Sequence, residues 1–180
     1  MIITIGGRPG AGTTSVSKAL AKRLGYNFYG AGEVRRGLAI KKGITLAELN
    51  EKAKHDVSSD KLVDDYMKYL GETKDNFVVD GLLAFHFIPR SIKVFFDADI
   101  KVRARRILER ANFEELPSSL KEAVKLLRQR EEMDLERCEK LYGVDPFDYN
   151  QFDLIFDTTK HTVDESTEHV YKFVMHKLKK

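Results

Sequence analysis

The residues most able to do chemistry lie in one short segment, Gly7-Arg8-Pro9-Gly10-Ala11-Gly12-Thr13-Thr14, followed by Ser15. The segment follows the apolar, β-branched run Ile2 to Ile5 and opens a helical pattern, the context that a phosphate-binding loop requires. Glycines let the backbone approach an anion closely, consecutive N–H groups point inward, and the start of a helix adds partial positive charge. A hydroxyl at the last position, Thr14, can ligate Mg²⁺. One residue departs from the pattern G-x-x-x-x-G-K-[ST]: Thr13 stands at the lysine position. The point charge a lysine gives the β- and γ-phosphates must then come from arginines. Lys18, one turn into the helix, is expected to project away from the loop. A glycine-rich turn with no ligand is the plainer alternative.

Asp80 is the second candidate. It ends the apolar run Phe77-Val78-Val79 and precedes Gly81. A carboxylate at a strand end beside a phosphate loop holds Mg²⁺, often through water, and can orient the attacking oxygen; a turn-forming Asp-Gly is the alternative. Asp97 reads as the cap of the following helix. Asp157, with Thr158 and Thr159, reads as a strand-end turn at the edge where a nucleotide base would lie. Arginines cluster: Arg103, Arg106 and Arg110 share one helix face, and Arg128, Arg130 and Arg137 fall on the next helix. A transferring phosphoryl group spreads charge over its oxygens and needs several guanidinium groups. A solvated helix face is the competing reading, because Glu131, Glu132, Asp134 and Glu136 interleave. Arg35 and Arg36 make a separate basic point after Ala31-Gly32-Glu33. The five histidines show no metal-ligand spacing with Cys138, so no structural zinc is expected.

These residues must be positioned by the elements between them. Short apolar strands are expected at Ile2–Ile5, Asn27–Tyr29, Phe77–Val79, Ile92–Phe96 and Leu154–Phe156. Helices are expected after the loop to Gly25, across the polar stretch from Ala31 to about Gly71, from about Asp99 to Asn112, from Pro117-Ser118-Ser119 to about Tyr142, and over Val163 to Leu178. Thr45 followed by Glu48 is a capping-box signature. Buried strands alternating with helices imply right-handed crossovers and a mostly parallel sheet, with ligands beyond the carboxyl ends of the strands. The glycine loop, Asp80, Asp97 and Asp157 all fall at such ends.

Composition sets the outer limits. With 180 residues, 42% hydrophobic, the chain suits one domain or a core with small lobes. Its 31 basic and 28 acidic residues leave a net charge of +3, too small a surplus for a nucleic-acid binder. A single cysteine excludes an intrachain disulfide, and no apolar run approaches the ~20 residues that span a bilayer. A cytoplasmic, soluble protein is expected, without membrane association.

At this point the chain resembles the archaeal-type cytidylate kinases, a family of P-loop nucleoside monophosphate kinases. The resemblance runs nearly end to end. It rests on Ile3-Thr4-Ile5-Gly6-Gly7, Gly10-Ala11-Gly12-Thr13-Thr14, Ala31-Gly32-Glu33 with Arg36, Val79-Asp80-Gly81, Val102-Arg103-Ala104 with Arg106-Ile107, and Arg130-Glu131-Glu132 with Arg137 and Leu141-Tyr142-Gly143-Val144-Asp145. In that family the loop usually lacks the lysine. The resemblance implies a three-layer α/β/α P-loop NTPase fold with a central parallel five-stranded sheet. It further implies a core (residues 1–30, 74–107 and 143–180), a helical acceptor-binding lobe at about 31–73 and a lid at about 108–142. It implies MgATP-dependent phosphorylation of CMP and dCMP to their diphosphates. A monomer is expected. By the same resemblance Gly7 through Ser15 hold the ATP phosphates, and Gly32, Glu33, Arg36 and Gly81 meet the acceptor. Arg106, Arg110, Arg130 and Arg137 grip the phosphoryl group, and Thr14 with Asp80 serves Mg²⁺. One departure bears on the acceptor: after Asp80-Gly81 the family usually has an arginine, and here it is Leu82, with Arg35 the candidate to compensate. Glu33 replaces the usual aspartate. Thr13 and Leu82 together keep two alternatives open: a kinase for another acceptor (UMP, AMP or a small metabolite), and a nucleotide-binding protein with impaired catalysis.

Overall fold

A computed structural model describes residues 1–45, 48–49, 58–109 and 117–178. Five strands, β1 (Ile2–Gly7), β2 (Asn27–Gly30), β3 (Phe77–Asp80), β4 (Ile92–Asp97) and β5 (Leu154–Asp157), form one parallel sheet in the order β2-β3-β1-β4-β5. The described helices are α1 (Thr13–Leu24), α2 (Ala31–Lys41), α3 (Ser58–Thr73), α4 (Ala84–Phe87), α5 (Ile100–Leu108), α6 (Leu120–Tyr142) and α7 (Val163–Leu178). A parallel sheet must be covered on both faces, and β1 shows how its sequence meets that demand. Ile3 and Ile5 point to the face packed by Val16 and Leu20 of α1 and by Val170 and Val174 of α7. Ile2 points to the other, packed by Met67 and Leu70 of α3 and by Phe87 and Ile88. Thr4, also on that second face, satisfies its buried hydroxyl against Ser91 Oγ at 2.9 Å. A smaller cluster joins Ala104 and Ile107 of α5 to Ala123 and Leu127 of α6.

The strand expectations hold, each strand running one or two residues further to its glycine or aspartate. The helix starts have local causes. Asp99 caps α5 by accepting from the N–H groups of Lys101 (2.9 Å) and Val102 (3.3 Å). This corrects the expectation for Asp97, which ends β4 and is turned to other partners. Ser119 caps α6, its hydroxyl accepting from Glu122 N–H at 3.2 Å. The Thr45–Glu48 box is present: Thr45 N–H donates to Glu48 Oε2 at 2.7 Å and Glu48 N–H to Thr45 Oγ1 at 3.1 Å. Among the described residues the polar stretch after β2 carries α2 and α3, residues 48–49 are also helical, and residues 46–47 and 50–57 lie outside the described ones. Among the described residues no helix is long and apolar enough to cross a membrane.

The order of the strands decides where a site can form. From β1 the chain moves outward to β2, returns to β3, then passes to the opposite side for β4 and β5. The reversal opens a crevice at the carboxyl end of β1, where the glycine loop begins.

Candidate active site

The loop is shaped by close packing at its start and by an open approach at its end. A Cβ on Gly7 would stand 2.5 Å from the Phe96 carbonyl oxygen, so only glycine lets β1 turn so near to β4. Gly12, at φ 93°, precedes α1 in a left-handed conformation that favours glycine, with no atom within 4 Å of its Cβ position. No side chain caps α1. Its first N–H groups therefore face the loop as donors for an anion. Inside the loop, Arg8 N–H donates to Phe96 O at 3.0 Å and Ala11 N–H to Arg8 O at 3.0 Å.

Asp80 stands beside this loop. Register pairs it with Ile5 on one side and with Gly30 on the other, so it lies between the loop's strand and the strand that leads into α2. The Thr14 hydroxyl donates to Asp80 Oδ2. The two residues singled out in the sequence for Mg²⁺ are thus brought together. Gly81 packs against the start of α2, where a Cβ on it would lie 3.1 Å from Ala31 Cβ. That contact puts the acceptor candidates Gly32, Glu33 and Arg36 near the Asp80 strand end, all three exposed on α2. Glu33 is not independent of the loop helix: Lys18 Nζ lies 2.7 Å from its Oε1 and 5.2 Å from the centroid of Phe28. Lys18 therefore turns away from the phosphate loop, as expected, and ties α1 to α2.

At the opposite edge Arg106 docks on the loop. Its Nη2 donates to Thr158 O at 2.7 Å, and its Nη1 to Thr158 Oγ1 at 2.9 Å and to Ala11 O at 3.4 Å. The buried Thr158 hydroxyl in turn donates to Ala11 O at 2.8 Å. A cavity of about 370 Å³ opens here, lined by Gly12, Ser15, Arg106, Thr158 and His161 among others. Asp157, beside it, is held below the usual carboxylate range by hydrogen bonds from Thr159, whose N–H lies at 2.8 Å, with help from His161 and Arg106.

The remaining arginines separate. Arg103 is buried, 4% exposed, and its Nη1 pairs with Glu131 Oε1 and donates to Pro9 O at 3.2 Å. Arg8 Nη1 donates to Glu131 Oε2 at 2.9 Å, its Nε lies 3.4 Å from Asp97 Oδ2, and its guanidinium covers the Phe147 ring at 4.8 Å. Burial works against the Arg8 charge, but Glu131 and Asp97 outweigh it and hold its pKa above the ordinary arginine value. On α6, Arg130 and Arg137 share one carboxylate: Asp134 lies 3.8 Å from Arg130 Nε and 3.0 Å from Arg137 Nη2. Arg130 is 60% exposed. Arg110 lies outside the described residues.

Sequence reasoning missed Glu131, which it placed among the charges of a solvated face, and undervalued Thr158. The only available signal for Glu131 was its place among alternating acids and arginines, which does not distinguish a surface pair from a brace. Among the described residues no group of three His, Cys, Asp or Glu side chains is placed to hold a metal.

The family model of the cytidylate kinase-like family matches residues 2–160. The chain belongs to this family. Among curated relatives, the cytidylate kinase of Archaeoglobus fulgidus is 36% identical over 175 residues, covering 97% of this chain and 94% of that one. The cytidylate kinase of Methanocella arvoryzae is 36% identical over 160 residues, covering 89% of each. Among solved structures, shikimate kinase from Bacteroides thetaiotaomicron superposes with a TM-score of 0.71 at 18% identity, covering 97% of this chain and 98% of that one. Shikimate kinase from Aquifex aeolicus gives a TM-score of 0.63 at 20% identity, covering 99% and 98%. At such identities these two speak for the fold alone. The expected three-layer parallel architecture is present.

Proposed function

We propose that this member of the family is an ATP-dependent kinase that transfers the γ-phosphoryl group of ATP to CMP or dCMP, giving CDP or dCDP. The observation that carries the reading is the glycine loop at the reversal point of the sheet, with Asp80 on one side and Arg106 on the other, in a chain that matches curated cytidylate kinases over most of its length. The loop N–H groups, from Gly7 to Ser15, receive the β- and γ-phosphates. The cavity beside Arg106 and Thr158 takes the rest of the donor nucleotide. The acceptor approaches from the α2 side, past Gly81, Gly32 and Glu33, with its phosphate against Arg36 and Arg35. Residues 31–73 then act as the acceptor lobe and 108–142 as the lid.

The chemistry needs little covalent help. An oxygen of the acceptor phosphate is already anionic, so it attacks the γ-phosphorus without a strong base. The new O–P bond forms as the bond to the β-phosphate oxygen breaks, and ADP leaves. Positioning and charge neutralisation carry the rate. Arg106, Arg130 and Arg137 supply the guanidinium groups that a loop without lysine demands, with Arg110 a further candidate.

Mg²⁺ fits the residues present. Thr14 Oγ1 and Asp80 supply adjacent hard oxygen donors, and Mg²⁺ takes its remaining ligands from substrate phosphates and water. When bound, it neutralises charge on the β- and γ-phosphate oxygens. The single chain contains every group this reading uses, and a monomer in the cytoplasm is the simplest form of it.

A second reading, a kinase for another acceptor, is favoured by Leu82, where relatives of this type usually carry an arginine. ADP release measured with CMP, dCMP, UMP, AMP and GMP separates the two. Turnover led by CMP and dCMP supports the first, a wide preference for AMP or UMP replaces it with the second, and no turnover with any acceptor despite ATP binding removes both.

A further inference from the structure

The first half of the phosphate loop is gripped from outside by one carboxylate. Glu131, midway along α6, uses one oxygen for Arg103 and the other for Arg8, at 2.9 Å. Each guanidinium also touches the loop or its supports. Arg103 donates to Pro9 O at 3.2 Å and to Ala98 O at 2.9 Å. Its Cβ lies 3.0 Å from where a Cβ on Gly10 would be, so α5 presses on the loop backbone. Arg8 belongs to the loop itself and is steadied by Asp97, which accepts from Tyr149 OH. Asp134, three residues after Glu131 and so on the same side of α6, holds Arg130 and Arg137. One face of the helix therefore carries a carboxylate directed to the loop and a carboxylate directed to the two arginines.

We propose that Glu131 is a positioning residue for phosphoryl transfer: by holding Arg8 and Arg103 together it fixes the register of α6 on the phosphate loop, and with it the place from which Arg130 and Arg137 reach the transferred group. The inference rests on the kinase reading. Arg130 and Arg137 both pair with Asp134 of their own helix, so their placement follows that of α6. A misplacement of about 1 Å at a reacting centre can cost about 100-fold in rate. Because these arginines act as the group transfers, a slipped α6 lowers kcat while ATP binding, done by the loop backbone, is little changed.

The test is steady-state kinetics with ATP and CMP, alongside thermal melts, on the wild type, Arg8→Gln, Glu131→Gln and the double variant. Arg8→Gln leaves the buried Arg103–Glu131 pair intact and so folds even if Glu131→Gln does not. Expected is a kcat for Arg8→Gln lowered about tenfold with the KM for ATP moved less than about threefold. The double variant should turn over no more slowly than Glu131→Gln alone, because both changes break one contact. Should Glu131→Gln not fold, the kcat-against-KM split of Arg8→Gln decides by itself. An unchanged kcat in the folded variants, a raised KM with kcat intact, or losses that multiply in the double variant each overturn the proposal. A wild type that transfers no phosphate to CMP or another nucleoside monophosphate overturns the kinase reading, and this inference with it; normal wild-type turnover with an equally fast Arg8→Gln overturns this inference alone.

Discussion

The floor and the roof of the site are built by different means. The floor, the loop with the strand ends beneath it, is held by backbone: β1 lies between β3 and β4, the loop bonds back to Phe96 O, and Asp80 is placed by strand register. The roof, α6, contributes charged side chains whose partners are remote in sequence, Arg8 to Glu131 across 123 positions and Arg103 to Glu131 across 28. A floor of backbone can hold an anion with little adjustment. A roof of side chains can exchange partners, a carboxylate for a phosphate, because the guanidinium groups of Arg130 and Arg137 are 60% and 39% exposed.

Variants of the two regions should therefore fail differently. Asp80→Asn strikes the floor and is expected to give the largest loss of turnover, about 10³-fold, since the charge for Mg²⁺ goes while the Thr14 hydroxyl keeps only an uncharged amide acceptor. A loss below tenfold at saturating Mg²⁺ would take Asp80 out of the mechanism. Arg130→Ala strikes the roof and should cost about 10²-fold in kcat. Its melting temperature should stay within a few degrees, because the pair it loses is exposed; an unchanged rate would remove this arginine from the roof.

Arg103→Met probes the junction. It leaves Glu131 with only the Arg8 partner in a largely buried position, and breaking such a pair from one side costs about 3–5 kcal/mol. Denaturant unfolding reads this directly, and a loss under about 1 kcal/mol would mean that the floor does not depend on the brace. Gly25→Ala, far from both regions, should cost about 1 kcal/mol through its left-handed conformation at the end of α1, φ 68°, with kcat unaltered; a fall in kcat would show that the floor is felt from the far end of its helix.

The smallest effect concerns acid. Asp157 has a lowered pKa in the folded state, owing first to the Thr159 hydrogen bonds. Its contribution is therefore present above the ordinary carboxylate pKa of about 4 and lost as pH falls through the lower folded value. Asp157→Asn should lower the neutral-pH melting temperature slightly and leave the value in acid nearly unchanged, so that this part of the acid dependence disappears. An unaltered acid profile would show that the bond to Thr159 carries no weight.

Much of the floor was legible in the sequence because its causes are local. β-Branched residues run unbroken along the start of β1, a loop of glycines follows, and aspartates close three strands; each can be read within a few residues. The Thr45–Glu48 box and the start of α6 were readable for the same reason. Asp97 was misread as a cap because Asp99, two residues on, offers the same chemistry, and only the backbone angle at the helix start decides between them. Arg103 and Arg106 share a helix face, so spacing could not show that one is a buried brace and the other docks on Thr158.

By itself, the sequence determined the alternation of strand and helix, the phosphate loop with threonine in place of lysine, and the carboxylate at the end of β3. These follow from side-chain periodicity and from the conformations that particular residues allow. Tertiary structure alone decided that Thr14 meets Asp80, that Arg106 docks on Thr158, and that one glutamate joins α6 to the loop. Ion pairs and hydrogen bonds between distant segments leave no local pattern, because their energy depends on which groups folding brings within 3–4 Å.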